Sequence, residues 1–189
     1  TPPAIGDGMM IAAASSALGR SWSDLHEALN RFEHAKDCDR VTNRIAALAL
    51  DLVDYQGTRL AARFCARIAR LAEAEASLDP ESPALSEAAA IELYRFLAYK
   101  DEYEVARLLL RGPHRRWLRR HSAREPRVRY HLHPPLLRSL GLTRKLAFGP
   151  WIEPFFAALI RARGLRGTAL DPFGWTRARR LERELAGEP

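Results

Sequence analysis

The chain has 189 residues and a mass of 21.3 kDa, enough to bury roughly 70% of its unfolded surface without a disulfide or metal staple. Hydrophobic residues make up 47%, an ordinary globular share, and no run approaches the ~18 uncharged apolar residues of a membrane span. Residues 1–99 hold 10 Lys+Arg against 14 Asp+Glu and residues 100–189 hold 20 against 9, giving −4 and +11 within a total of +7. An acidic and a basic half can fold on each other or on partners, so net charge alone does not argue for nucleic acid.

The first half reads as helix. "IGDGMMIAAASSALG" is apolar but short and lacks a basic lead, which makes it a poor signal peptide. A helix from Gly6 to Leu18 closed by Gly19 is the better reading. Ser21 with Asp24 resembles a capping box, and Trp22, Leu25, Ala28, Leu29 and Phe32 recur at helical spacing behind it. Asp37 or Asp39 is expected to cap a third helix carrying Val41, Ile45, Leu48 and Leu52. Gly57 marks a break, followed by a stripe of Leu60, Phe64, Ile68 and Leu71 with arginines outside. "SLDPESPALSE" reads as a linker, with Ser82 as cap before Pro83 at the first helical position. It divides the chain into a helical segment 1–79 and a C-terminal domain 84–189. The next helix presents Ala88, Ile91, Leu93, Tyr94 and Leu97, then continues or restarts at Asp101 and ends before Gly112-Pro113.

Beyond Gly112 the chain turns basic. "HRRWLRRH" predicts a short helix with Trp117 and Leu118 turned inward. In "RVRYHLH" the apolar Val128, Tyr130 and Leu132 alternate with Arg127, Arg129, His131 and His133, the period of a half-buried strand. "KLAF" (residues 145–148) is its expected antiparallel partner, after a short helical piece "PLLRSLG". A further helix opens at Gly149-Pro150 with Trp151, Ile152, Phe155, Phe156, Leu159 and Ile160 on its apolar face, and Thr176 caps a last one over 177–185. The expected fold is mainly α, a multi-helix domain with one small antiparallel β-hairpin at about residues 127–148.

Few patterns point to chemistry. Gly6-Asp7-Gly8 with Asn30 or Asn43 near the right distance is the residue set that binds thiamine diphosphate through magnesium. That motif needs a preceding strand, and a helix N-terminus suits this one better. His131 and His133 share a strand face, but arginines around them disfavour a cation. Asp101, Glu102 and Glu104 offer carboxylates, yet Lys100–Glu104 and Glu104–Arg107 have the spacing of ordinary helix-surface pairs. Cys38 and Cys65 lack metal or disulfide spacing and read as reduced thiols of a cytoplasmic protein, at least one of them in a helix interface. The largest single-sign feature is basic. Arg115, Arg116, Arg119, Arg120, Arg127, Arg129, His131 and His133 form a candidate patch for an anion or an acidic partner surface. A stand-alone basic helical module binding nucleic acid is the competing class; with few aromatic stacking partners it is the less expected one. No catalytic, metal or cofactor-binding residue is assigned, and the "LDPFGW" stretch (residues 170–175) reads as a type I turn pinned by Phe173 and Trp175.

"AYKDEYEVARLL", "RYHLHPPLL", "FGPW" and "LRGTALDPFGWTRARRLER" resemble, in this order, the C-terminal region of the long-chain indolepyruvate ferredoxin oxidoreductases, over about residues 85–186. "VDYQGTRLAARF" is similar to the family's helical connector, and the first forty residues to the end of its gamma-type domain. The resemblance implies a cytoplasmic parent that decarboxylates aryl 2-oxo acids oxidatively to aryl-acetyl-CoA and reduces ferredoxin. Thiamine diphosphate, magnesium and iron–sulfur clusters would belong to segments of that parent other than this one. It further implies that this stretch braces or docks other domains or subunits of the enzyme, with coenzyme A phosphates as a possible contact of the basic face.

Overall fold

The computed structural model describes residues 9–112, 117, 121, 128–132, 146–166, 168–171 and 173. Among them the fold is mainly α-helical with one small two-stranded antiparallel sheet. Two compact units are present, residues 1–99 with 164–189, and residues 100–163. The linker at 79–83 joins two helices of the first unit.

The first unit contains α1 (Met9–Leu18), α2 (Arg20–Asn30), α3 (Cys38–Tyr55), α4 (Thr58–Leu78) and α5 (Ala84–Leu97). Gly19, at φ 52°, ends α1 as expected. It also occupies the N-cap position of α2, and its carbonyl accepts from the Trp22 and Ser23 amides at 3.1 Å. Ser21 therefore lies inside α2 and forms no capping box, because one residue serves as the stop and the start. Asp37 holds the N-cap position of α3 without a side-chain cap bond, and Asp39 lies in the first turn.

The apolar stripes meet as their periods predict. Trp22, Leu25, Leu29, Phe32, Val41, Ile45, Leu52, Phe64 and Ile68 are buried, while Leu48 and Leu71 are half-buried. α2 packs on α4, α1 on α3, and α5 on both α3 and α4. Ala46, Ala49, Ala61 and Ala72 have no exposed surface, so small side chains line these helix contacts. The break between α3 and α4 falls at Gly57, with φ 127° and ψ 178°, a backbone region essentially restricted to glycine. An added Cβ there would meet nothing within 4 Å, so the requirement is conformational rather than steric.

On α5 the inner face is Ser86, Ala90 and Leu97, with Ile91, Leu93 and Tyr94 half-buried. Ala88, expected on that face, is exposed. Pro83 stands at the N-cap position and no side-chain bond from it or Ser82 caps the helix.

The second unit contains α6 (Glu102–Arg111), β1 (Tyr130–Leu132), β2 (Leu146–Phe148), the 3-10 turn η1 (Pro150–Ile152) and α7 (Glu153–Arg161), after which the 3-10 turn η2 (Ala162–Leu165) leads out. The helix restarts at Asp101, whose side chain accepts from the Glu104 amide at 2.7 Å. In the sheet Tyr130 faces Phe148, His131 faces Ala147 and Leu132 faces Leu146. α6 packs on α7 around Ala106, Tyr130, Ile152, Phe156 and Ile160.

Three aromatic residues correct the sequence reading. Trp151 and Phe155 are 72% and 56% exposed. They stand four residues apart, one position before Ile152 and Phe156, so they form a neighbouring outward stripe. Trp117 is 55% exposed and stacks on the His121 ring at 4.7 Å. Leu118, the helical piece at 135–141 and the last helix at 177–185 lie outside the described residues.

Candidate functional site

Of the predicted basic patch, Arg129 and His131 are described. Both are exposed, and β1 pairs His131 with exposed Ala147. Tyr130 between them points the other way, edge-on to Phe156 at 5.1 Å, with its hydroxyl donating to Glu153 Oε1 at 2.8 Å. The strand alternation thus places Arg129 and His131 on a solvent face, as their spacing predicts. Arg115, Arg116, Arg119, Arg120, Arg127 and His133 lie outside the described residues.

Two of the three carboxylates considered for acid–base work, Asp101 and Glu104, have structural duties. Asp101 is buried as the cap of α6. Glu104 and Arg107 form a two-pronged pair, Nε to Oε2 at 2.7 Å and Nη2 to Oε1 at 2.8 Å. Their side chains are only 8% and 14% exposed, so the expected surface pair is a largely buried one.

Of the residues with a thiamine or cluster flavour, the asparagines and cysteines are described. Gly6, Asp7 and Gly8 lie outside the described residues. Asn30 ends α2, and Asn43 on α3 donates its amide to the Asp39 carbonyl at 2.9 Å. Cys38 and Cys65 are free buried thiols, on α3 and α4. Burial pushes the Cys65 thiol up to about 12 and also raises Cys38, which donates to the Leu29 carbonyl. In the thiol form both are poor nucleophiles. Among the described residues no group of three or more His, Cys, Asp or Glu side chains is placed to hold a metal ion.

Two charged anchors escaped the sequence reading. The first is Glu75, buried in the last turn of α4. Its Oε1 accepts from the Leu85 amide at 2.7 Å, and its Oε2 accepts from the Ser86 amide at 2.7 Å and the Ser86 hydroxyl at 2.5 Å. A carboxylate from one helix therefore caps the next, where the helix dipole favours negative charge. The second is Arg166, in the "LRGTALDPFGW" segment. Its guanidinium lies 3.7 Å above the Tyr55 ring and donates to the Tyr55 carbonyl at 2.8 Å. That carbonyl ends α3, one of the groups a helix cannot satisfy internally, and a cation suits that end of the dipole. Thr168 and Asp171 hold the following turn, with Asp171 Oδ1 accepting from the Phe173 amide at 3.1 Å. Phe173 is half-buried; Trp175 lies outside the described residues.

On the surface of the same unit Glu87 accepts from Arg40 at 2.6 and 2.9 Å and from Arg44 at 2.8 Å. The Arg40 hydrogen bond leads in drawing the Glu87 carboxyl down to about 2.

These features define a mainly helical protein in which buried charges hold helix ends together. Residues 41–188 match the model of a family of unknown function, DUF6537, and the chain belongs to that family. No curated protein and no solved structure matches it. Among the described residues no helix is long and apolar enough to cross a membrane.

Proposed function

We propose that the chain is the C-terminal structural and docking portion of an indolepyruvate, or aryl 2-oxo acid, ferredoxin oxidoreductase. The observation that carries this reading is the order of the four segments between about residues 85 and 186. The duties of the buried charges support it. Glu75 and Asp101 cap helices, Glu104 binds Arg107, Arg166 seals the end of α3, and Asp171 holds a turn. Side chains committed in this way supply rigidity rather than proton transfer.

In the parent enzyme, other segments hold thiamine diphosphate, magnesium and the iron–sulfur clusters and carry the oxidation to aryl-acetyl-CoA. This portion braces those domains or subunits and works in the cytoplasm, where its two buried thiols stay reduced. The exposed Arg129 and His131 belong to the face turned toward an acidic partner or coenzyme A. Size-exclusion chromatography tests the docking role. Mixed with an indolepyruvate ferredoxin oxidoreductase lacking the corresponding segment, the chain is expected to co-elute with it. Separate elution at micromolar concentrations removes this reading.

A further inference from the structure

Helix α4 carries Arg59, Arg63, Arg67 and Arg70. At 100° per residue they fall within about 80° of one another around the helix axis, over a length of about 17 Å. Ala61, Cys65, Ile68 and Ala72 occupy the opposite, buried side. No acidic side chain occurs between residues 58 and 72. Arg59, Arg67 and Arg70 are exposed. Among the described residues none of these three is in an ion pair; Arg70 only returns its Nε to the Ala66 carbonyl at 3.3 Å. Three other arginines of the unit are matched by carboxylates, Arg40 and Arg44 by Glu87 and Arg95 by Glu92, whereas Arg20 and Arg31 are exposed on separate turns and form no comparable row.

We infer that this arginine face of α4 docks an acidic segment of another protein, with carboxylates spaced along a helix or an extended strand. Guanidinium groups bind carboxylates with two parallel hydrogen bonds, which lysines cannot do. Charge selects the class of partner. Residues 1–99 carry 10 basic against 14 acidic side chains, so the basic charge of this part of the sequence is a local excess on α4 and offers a long polyphosphate no net attraction beyond it. A short acidic protein segment matches the stripe and ends where it ends. The inference rests on the docking reading for the partner's place in an assembly, whereas the surface itself stands on α4 alone.

Fluorescence anisotropy with a labelled alanine-based peptide tests it. The peptide carries glutamates at the same i, i+4, i+8, i+11 spacing over about 16 residues, and a single-stranded DNA of similar length serves as the comparison. The chain is expected to bind the peptide at about 50 mM salt and to release it at about 300 mM. Arg59→Gln/Arg67→Gln/Arg70→Gln is expected to weaken peptide binding about tenfold or more with the melting temperature unchanged. Arg20→Gln/Arg31→Gln/Arg95→Gln, which removes the same charge elsewhere, is expected to bind like the unmodified chain. The inference is overturned if the unmodified chain ignores the peptide, if the α4 variant binds it as well, or if the control weakens it equally. Tighter α4-dependent binding of the DNA overturns it too, by assigning the face to nucleic acid. None of these outcomes bears on co-elution with the oxidoreductase, which tests the docking reading separately.

Discussion

Replacing Glu75 with alanine probes how the first unit is held together. The carboxylate accepts three hydrogen bonds from the start of α5, two of them from Ser86, which has no exposed surface. Water can reach the part-buried Leu85 amide once the carboxylate is gone, but not the Ser86 amide and hydroxyl. Two buried donors left without acceptors cost about 1–3 kcal/mol each. Relief from burying the charge offsets part of that, leaving a net loss of about 2–4 kcal/mol. For a chain of this size the melting temperature then falls by roughly 5–15 °C, readable by circular dichroism at 222 nm. Glu75→Gln keeps one acceptor oxygen and is expected to fall between the two. In Glu75→Ala/Ser86→Ala the orphaned hydroxyl is also gone, so about 1 kcal/mol should return relative to the single variant. A Glu75→Ala variant within about 0.5 kcal/mol of the unmodified chain would refute the cap as a stabilising element.

Three further outcomes are expected. Arg166→Ala should lose about 2–4 kcal/mol through the orphaned Tyr55 carbonyl and the lost contact with its ring, and Arg166→Lys should recover only part of it, measured by urea denaturation. Gly57→Ala should cost about 1–3 kcal/mol from its backbone conformation, although no side chain stands in the way; a neutral result would mean that the α3–α4 joint relaxes. Because the Glu87 carboxyl is drawn below its unfolded value of 4.5 to about 2, its contribution is full above about pH 4.5 and fades as pH falls toward about 2. With both arginines half-exposed it amounts to no more than about 1 kcal/mol. Acid titration of Glu87→Gln should show that slope missing.

The fold was legible wherever a single period governed a stretch. The helical repeat of Trp22 to Phe32 and of Leu60 to Ile68 found the core, and the two-residue alternation around Tyr130 found the hairpin and the exposure of Arg129 and His131. What failed was local reasoning about ends and faces. Ser82 looked like the cap of α5 because capping patterns are read from adjacent residues, whereas Glu75 acts from the preceding helix, ten and eleven residues upstream of its amide partners. Arg166 bonds a carbonyl 111 residues away, and no spacing in the sequence announces that. Trp151 and Phe155 were placed inward because size and apolarity were taken for burial, yet one residue of helix turns a side chain by about 100°. The Glu104–Arg107 spacing gave the partner correctly but not the burial, which depends on the packing of α6 against α7.

The claim at the centre is that this chain supplies shape and attachment while other polypeptide supplies the reactive groups. Its most direct test is indolepyruvate-dependent ferredoxin reduction by the purified chain with coenzyme A, thiamine diphosphate and magnesium added. The result expected is no reduction above the rate without protein, and no heat of thiamine diphosphate binding in a parallel titration. Sustained turnover, or stoichiometric diphosphate binding, contradicts the claim.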